Sequence, residues 1–155
     1  MSVAEKLVEL LKAQGLTCAT AESCTGGGVG SAITAVPGSS AVFAGGVISY
    51  ANEVKRDVLG VSDHNLQTVG AVSGEVAAQM AMGARKLLKT DLAVSLTGIA
   101  GPDGGSDEKP VGLVWFGLAT KDGVRTEKAI FRGDRAQVRA QAVTHALGML
   151  TIAAT

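Results

Sequence analysis

The feature that most constrains the fold of this 155-residue chain is the alternation of helix-like and strand-like segments along its first two thirds. An amphipathic segment at 2–15 precedes a short apolar run at 16–23. A small-residue helix at 29–35 then precedes a second apolar run at 41–51. Alternation of this kind is typical of a parallel sheet with helices on both faces. The pattern therefore predicts an α/β fold.

The remaining segments extend the same pattern and then change it. Helices are predicted at 52–60 and 73–90, a strand at 91–101, a hairpin of strands at 111–120 and 124–131, and a long helix from 134 to 154. A hairpin requires at least one antiparallel pairing. We therefore predict a three-layer α/β/α architecture with a mixed, mostly parallel sheet of about five strands. Residues 1–155 contain no internal repeat or linker, so we expect them to form one domain.

Local signals place the ends of several helices. Ser2 and Glu5 form a capping-box pattern before the first helix, and Asp134 is the predicted N-cap of the last helix. Asn52 is the predicted N-cap of the helix at 52–60, and His64 is predicted to lie in a polar turn.

Composition excludes several classes of function. Lysine plus arginine equals aspartate plus glutamate at 14 each, whereas proteins that bind nucleic acids or membrane surfaces usually carry a basic excess. No apolar run approaches the roughly 20 residues that span a bilayer, and the first residues lack a signal-peptide pattern. We expect a cytoplasmic protein with no nucleic-acid or membrane partner. The apolar helix faces and high alanine content favour a homo-oligomer.

Cysteine and acidic residues give no sign of a metal or cofactor. Cys18 and Cys24 are six residues apart, match no zinc or redox spacing, and are expected to be reduced in the interior. The acidic residues from Asp103 to Glu108 lack the ligand register of a calcium loop. We expect neither a metal nor a cofactor.

Two glycine-rich segments, "ESCTGGG" and "TGIAGPDGG", follow predicted strands. In open α/β sheets, ligands bind at the carboxyl ends of strands. Neither segment matches a Walker A or dinucleotide-binding pattern, so nucleoside triphosphate hydrolysis is disfavoured. Taken alone, such glycines fit a ligand cleft and simple tight turns equally well.

Two candidate nucleophiles lie in the first segment. Ser23 stands where a strand gives way to a turn, and the N–H groups of Thr25 and Gly26 are candidates for stabilising an oxyanion. Cys24 is the rival, because a thiolate needs less activation than a hydroxyl. Adjacent residues on an extended backbone point in opposite directions, so only one of the two faces the cleft. Composition does not decide which.

The candidate base is a lysine, because nothing near His64 or His145 favours a Ser-His-Asp triad. Burial disfavours the ammonium form and lowers a lysine pKa, and Lys55 lies near the end of the second strand, five residues after Tyr50. A solvated helix lysine is the alternative interpretation of Lys55. Arg135 and Arg139 share one helix face and suit a phosphate group, although a solvated surface cluster explains them as well.

Five segments together resemble one known family. The sequence closely resembles the CinA C-terminal domain family, whose stand-alone members are nicotinamide-nucleotide amidohydrolases, also called NMN deamidases. The resemblance covers nearly the whole chain in the right order. Larger competence/damage-inducible members carry a further N-terminal domain, which we expect to be absent here. The segments are "AESCTGG" (21–27), "GGVISYANEVK" (45–55), "GAVS" (70–73), "TGIAGPDGGSDEKPVGLVWFGLA" (97–119) and "FRGDRAQVRAQA" (131–142).

The resemblance implies hydrolysis of the carboxamide of nicotinamide mononucleotide to nicotinate mononucleotide and ammonia. It implies a serine–lysine dyad of Ser23 and Lys55, with Tyr50 assisting Lys55 and Cys24 turned into the core. The alternative is a non-catalytic module, linked to competence or DNA damage, that binds a nucleotide or a protein. The substrate-binding positions that the resemblance implies are Glu22, Thr25, Gly26, Asn52, Thr97, Gly98, Ala100, Gly101, Arg135 and Arg139.

Overall fold

A computed structural model describes residues 1–155. The elements, in chain order, are α1 (Val3–Gln14), β1 (Cys18–Glu22), α2 (Gly28–Thr34), a short 3-10 turn (Ser39–Ala41), β2 (Phe43–Ile48), α3 (Asn52–Leu59), α4 (Asp63–Thr68), α5 (Gly74–Leu88), β3 (Leu92–Gly98), β4 (Leu113–Thr120), β5 (Gly123–Ile130) and α6 (Arg135–Ala153).

The five strands form one sheet in the order β2-β1-β3-β4-β5. Strand β1 pairs in parallel with both β2 and β3, whereas β4 pairs antiparallel with both β3 and β5. Four strands (β1, β2, β3 and β5) therefore run in one direction and only β4 runs against them. This arrangement confirms the predicted α/β class and the mixed, mostly parallel sheet.

Helices cover both faces of the sheet. Helices α1, α2 and α6 pack together on one face, and α5 covers the other face with α3 and α4 beside it. Successive side chains of β1 point to opposite faces of the sheet and contribute to both cores. Cys18 belongs to the larger core under α1 and α6, and Ala19 belongs to the smaller core under α5. Each fully buried leucine in the larger core, such as Leu7 or Leu150, contributes about 2 kcal/mol by leaving water.

The predicted helix starts are confirmed at two places. The Ser2 hydroxyl accepts a hydrogen bond from the N–H of Glu5, and Asp134 forms a full capping box with Gln137. The Asn52 prediction was wrong by one residue: Ala51 is the N-cap of α3, and Asn52 is its first helical residue.

Helix α4 was not predicted, because its residues were interpreted as a polar turn around His64. The Ser62 hydroxyl accepts a hydrogen bond from the N–H of Asn65 and starts this short helix. No residue of α4 is fully buried, so it carries no apolar stripe that would identify it.

Two further observations concern the whole chain. No helix combines the length and the apolar character needed to cross a bilayer. No group of three or more histidine, cysteine, aspartate or glutamate side chains is arranged to hold a metal ion.

Candidate active site

The candidate site lies where the carboxyl ends of three adjacent parallel strands meet. The Ser23 loop (residues 23–27) follows β1, Ser49 and Tyr50 follow β2, and the Gly98 loop (residues 98–110) follows β3. Backbone hydrogen bonds extend the sheet into these loops. The N–H of Ser23 donates to Leu96 O at 3.1 Å, and the N–H of Ser49 donates to Glu22 O at 2.7 Å.

Ser23 and Lys55, which lie 32 residues apart, are brought together here. Lys55 Nζ lies 3.1 Å from Ser23 Oγ. Helix α3 begins directly after β2 and turns Lys55 and Leu59, one helical turn apart, toward the protein interior. Lys55 is only 1% exposed. It is therefore not the solvated helix lysine of the alternative interpretation.

The other contacts of Lys55 Nζ are backbone carbonyls. The amine donates to Ser49 O at 2.7 Å and to Tyr50 O at 3.0 Å, and it forms no ion pair with a carboxylate. Burial lowers the pKa of Lys55 from its ordinary value of 10.5. Carbonyl oxygens only accept hydrogen bonds. In the neutral amine, the two N–H groups therefore serve the two carbonyls, which leaves the lone pair for the Ser23 hydroxyl.

Cys24 faces the other way. Its side chain belongs to the larger core, and burial raises the pKa of its thiol to about 11, despite the opposing positive charge of Arg139. A buried, protonated thiol is a poor nucleophile. Of the two neighbouring candidates, Ser23 is the one beside the amine.

Glu22 fixes the Ser23 loop from below. Its carboxylate, 1% exposed, accepts hydrogen bonds from the Thr25 hydroxyl at 2.6 Å and from the N–H groups of Val29 and Gly30 at 2.9 and 3.0 Å. A carboxylate at the first turn of a helix satisfies N–H groups that lack helical partners. The side chains of Glu22 and Thr25 thus bond to each other, and their predicted contact with substrate stays a prediction.

The backbone of the Ser23 loop corrects one prediction. The N–H of Gly26 donates to Ser23 O at 3.1 Å and closes a tight turn, so it is not free to stabilise an oxyanion. Gly26 has a φ of +60°, which favours glycine. The N–H of Thr25 has no protein acceptor and remains available.

Arg135 and Arg139 reach the site from the first two turns of α6. Arg139 donates from Nε to Cys24 O at 3.1 Å and from Nη2 to Thr25 O at 3.2 Å. Arg135 donates from Nη1 to Gly101 O at 2.8 Å. A guanidinium has five N–H groups, so both arginines keep free donors at the rim of the cleft.

The Gly98 loop is held less tightly. The Thr97 hydroxyl, at the end of β3, donates to Ala71 O at 3.0 Å, and Ala100 is packed into the larger core. Gly101 is buried with a φ of +84°, whereas residues 102–108 are exposed. Gly98 packs tightly, because a Cβ there would lie 2.6 Å from Val114 Cγ2.

Two predicted residues lie at the outer rim. Tyr50 is 65% exposed and its phenol makes no hydrogen bond, so Tyr50 is hydrogen-bonded to Lys55 through its backbone carbonyl. Asn52 is exposed at the start of α3.

Sequence reasoning missed Ser49. This fully buried residue supplies one of the carbonyls that hold Lys55, and its hydroxyl donates to Glu22 O at 3.3 Å. Every residue has a backbone carbonyl, so the residue type of Ser49 does not indicate this role. The one available signal was the position of Ser49 at the end of β2.

Comparison with known proteins identifies the family of this chain. The family model for the CinA C-terminal domain matches residues 1–153. The chain is 51% identical over 151 residues to the nicotinamide-nucleotide amidohydrolase PncC of Escherichia coli K12, covering 97% of this chain and 92% of that protein.

A longer relative and a solved structure are similar as well. A protein of Halothermothrix orenii named for competence-damage inducibility is 56% identical over 135 residues, which are 86% of this chain but 33% of that protein. The chain thus spans about one third of the longer relative. The crystal structure of a CinA superfamily protein from Klebsiella pneumoniae superimposes with a TM-score of 0.94 at 36% identity, covering 98% of this chain and 95% of that one. The chain belongs to the CinA C-terminal domain family.

Proposed function

We propose that this protein is a nicotinamide-nucleotide amidohydrolase, which converts nicotinamide mononucleotide and water into nicotinate mononucleotide and ammonia. The activity is the one named for the Escherichia coli relative, which matches over nearly the full length of both chains. The observation that carries the proposal is the contact of a buried lysine amine with the Ser23 hydroxyl, 3.1 Å apart.

The first half of the reaction is acylation of Ser23. Neutral Lys55 accepts the hydroxyl proton as Ser23 Oγ forms a bond to the carboxamide carbon. The C–N bond then breaks, and the Lys55 ammonium returns the proton to the departing nitrogen, which leaves as ammonia. Ser23 is left as an ester of the nicotinate group.

The second half is hydrolysis of that ester. Lys55 again accepts a proton, this time from a water molecule whose oxygen attacks the ester carbon, and it returns the proton to Ser23 Oγ as the C–O bond breaks. In both halves a negative charge develops on the former amide oxygen. We assign the unpaired N–H of Thr25 to that oxygen.

Substrate binding is assigned to the groups around the cleft. The N–H groups that Arg135 and Arg139 keep free suit the phosphate, since guanidinium forks match phosphate oxygens. The ribose or the ring is assigned to the backbone of Gly98, Ala100 and Gly101. Thr97, which directly precedes Gly98, supports this segment. Tyr50 and Asn52 form the exposed opposite rim.

Ammonia release from nicotinamide mononucleotide tests the proposal. Wild-type protein and Cys24→Ala are expected to release ammonia, whereas Ser23→Ala is expected to lose about 10³-fold or more in kcat. Activity in Ser23→Ala together with its loss in Cys24→Ala would overturn the dyad. Tight binding of the nucleotide by wild type with no ammonia release would favour the non-catalytic module.

We also propose that the protein acts in the cytoplasm as a homo-oligomer, with no nucleic-acid or membrane partner. The two free, buried thiols support a cytoplasmic location. The formal net charge of +0 supports the absence of a nucleic-acid or membrane partner. Exposed Ile48 and Ile130 on the two edge strands, at 56% and 60% exposure, support self-association. Light scattering on purified protein measures the oligomeric state, and a monomeric mass would contradict the proposed homo-oligomer.

A further inference from the structure

Arg139 holds two consecutive peptide groups of the Ser23 loop. Its Nε and Nη2 donate to Cys24 O and Thr25 O, across 115 and 114 residues of sequence. The guanidinium lies directly against this backbone, because a Cβ on Gly26 would meet Arg139 Nη2 at 3.5 Å. The carbonyl of Cys24 has no other hydrogen-bond donor.

These contacts fix the direction of the neighbouring N–H groups. In a trans peptide the C=O and the following N–H point in opposite directions. When Arg139 holds Cys24 O, the N–H of Thr25 points away from Arg139. Thr25 O also accepts a hydrogen bond from the N–H of Gly28 at 3.1 Å, so the next peptide is held by the backbone as well as by Arg139, with the N–H of Gly26 directed at Ser23 O.

Without the guanidinium, the peptide between Cys24 and Thr25 has no side chain to hold its plane. A rotation of that plane would turn a carbonyl oxygen to the side where the free Thr25 N–H now points. A carbonyl oxygen repels a developing oxyanion, whereas an N–H stabilises it.

We propose that Arg139 is a positioning residue that keeps the Thr25 N–H directed at the oxyanion, whatever contact it also makes with the substrate phosphate. The inference rests on the proposed amidohydrolase function. It separates Arg139 from Arg135, which lies one turn earlier on the same helix face and holds only a carbonyl of the Gly98 loop.

The position requires the arginine fork. A lysine ammonium is a compact charge on a flexible stem, and it does not hold two consecutive carbonyls in a fixed plane. Arg139→Lys is therefore expected to keep the positive charge near the phosphate while losing the control of the peptide plane.

Two substrates distinguish positioning from phosphate binding. With both nicotinamide mononucleotide and its phosphate-free form, nicotinamide riboside, kcat of Arg139→Gln is expected to fall about 10²-fold, and that of Arg139→Lys at least about tenfold. KM of each variant for the riboside, which has no phosphate to bind, should stay within about threefold of wild type. Arg135→Gln is expected to raise KM for the mononucleotide. A raised KM for the mononucleotide in Arg139→Gln, with unchanged turnover of the riboside, would overturn the inference.

A second readout does not depend on the nucleotide. Phenylmethylsulfonyl fluoride labels activated serines, and mass spectrometry measures the labelling rate of Ser23. Arg139→Gln and Arg139→Lys are expected to slow labelling about tenfold or more, because the reaction also builds negative charge on an oxygen. Arg132→Gln, an exposed arginine that donates no hydrogen bond, is expected to match wild type.

The outcomes separate this inference from the proposed function. Slow labelling in the Arg139 variants, combined with no ammonia release by wild type, would refute the nucleotide substrate and retain the positioning role. Equal labelling rates in wild type and both variants, or no labelling of wild type, would overturn the role of Arg139. Thermal unfolding of each variant identifies any variant that fails to fold. If Arg139→Gln fails to fold, the labelling rate and kcat of the more conservative Arg139→Lys decide the role of Arg139.

Discussion

The two glycine-rich loops of the site differ in how firmly they are held. The Ser23 loop is bonded from below by the Glu22 carboxylate and from the side by the Arg139 guanidinium, and its first three residues are buried. The Gly98 loop is held near its start by Thr97 and Arg135 and near its end by Lys109, whose Nζ donates to Val69 O, whereas residues 102–108 between them are exposed.

We infer from this difference that the Ser23 loop sets the geometry of the reaction and that the Gly98 loop binds the substrate. A loop with most of its carbonyls and both of its hydroxyls hydrogen-bonded keeps the reacting atoms in one geometry, which is what rate acceleration requires. A loop with free backbone groups adapts to a bound molecule. Changes in the Ser23 loop and its supports should therefore lower kcat, and changes in the Gly98 loop should mainly raise KM.

The largest expected effect comes from Lys55, which serves the Ser23 loop directly. Lys55→Arg keeps a positive charge but replaces an amine whose pKa burial lowers with a guanidinium that stays protonated, so kcat is expected to fall about 10³-fold. Ammonia release under saturating substrate measures it. Lys86→Arg on α5, exposed and far from the site, serves as the matched control. Turnover in Lys55→Arg within a few-fold of wild type would exclude Lys55 as the base.

A smaller effect is expected from the support below the same loop. Glu22→Gln keeps the shape of the side chain but places an amide NH₂ or a neutral oxygen opposite three donors, so at least one hydrogen bond is lost. We expect kcat to fall about tenfold and the free energy of unfolding to fall by about 1–3 kcal/mol. Denaturant unfolding and steady-state kinetics measure the two.

The control for Glu22 is Glu75→Gln, an exposed carboxylate in the first turn of α5. That variant is expected to keep its kcat. If Glu22→Gln raised KM and left kcat intact, Glu22 would belong with the substrate contacts, and the contrast between the two loops would fail.

The smallest effect is expected in the Gly98 loop. Gly101 and Gly104 both have positive φ, at +84° and +93°, so alanine is strained at either position. A Cβ on Gly101 would lie 2.5 Å from Val111 Cγ1, whereas the nearest atom to a Cβ on Gly104 is Ile99 Cγ2 at 3.7 Å.

Gly101→Ala must therefore displace the loop, and Gly104→Ala need not. We expect Gly101→Ala to raise KM about threefold to tenfold with kcat within twofold, and Gly104→Ala to change KM less than twofold. A tenfold fall in kcat for Gly101→Ala would show that this loop also sets the chemical geometry.

Much of this molecule could be predicted from its sequence. The alternation of segments gave the α/β class, because hydrophobic periodicity and caps such as Asp134 are local signals. Residue patterns narrowed the nucleophile to Ser23 or Cys24 and named Lys55 as the candidate base. Family resemblance was needed to choose Ser23 and to prefer a dyad with Lys55 over a solvated helix lysine.

The missed features are hydrogen bonds to backbone carbonyls. The carbonyls of Ser49 and Tyr50 that orient Lys55, and the grip of Arg139 on Cys24 O and Thr25 O, involve backbone atoms. Every residue has a carbonyl, so no residue type marks such a role. The availability of the Gly26 N–H was predicted wrongly for the same reason, because its partner is Ser23 O in a turn whose exact form the glycines alone do not fix.

The central claim is that Lys55, 3.1 Å from Ser23 Oγ, acts as its base because burial lowers the pKa of the amine. NMR titration of the lysine side chains, with the Lys55 signal assigned by its loss in Lys55→Arg, measures this directly. Burial among carbonyls predicts that the pKa of Lys55 lies below the ordinary 10.5, so that its unprotonated form is populated at lower pH than usual. A Lys55 signal that titrates at or above 10.5 would contradict the account, because the amine would then be a fixed positive charge with no lone pair to offer the serine.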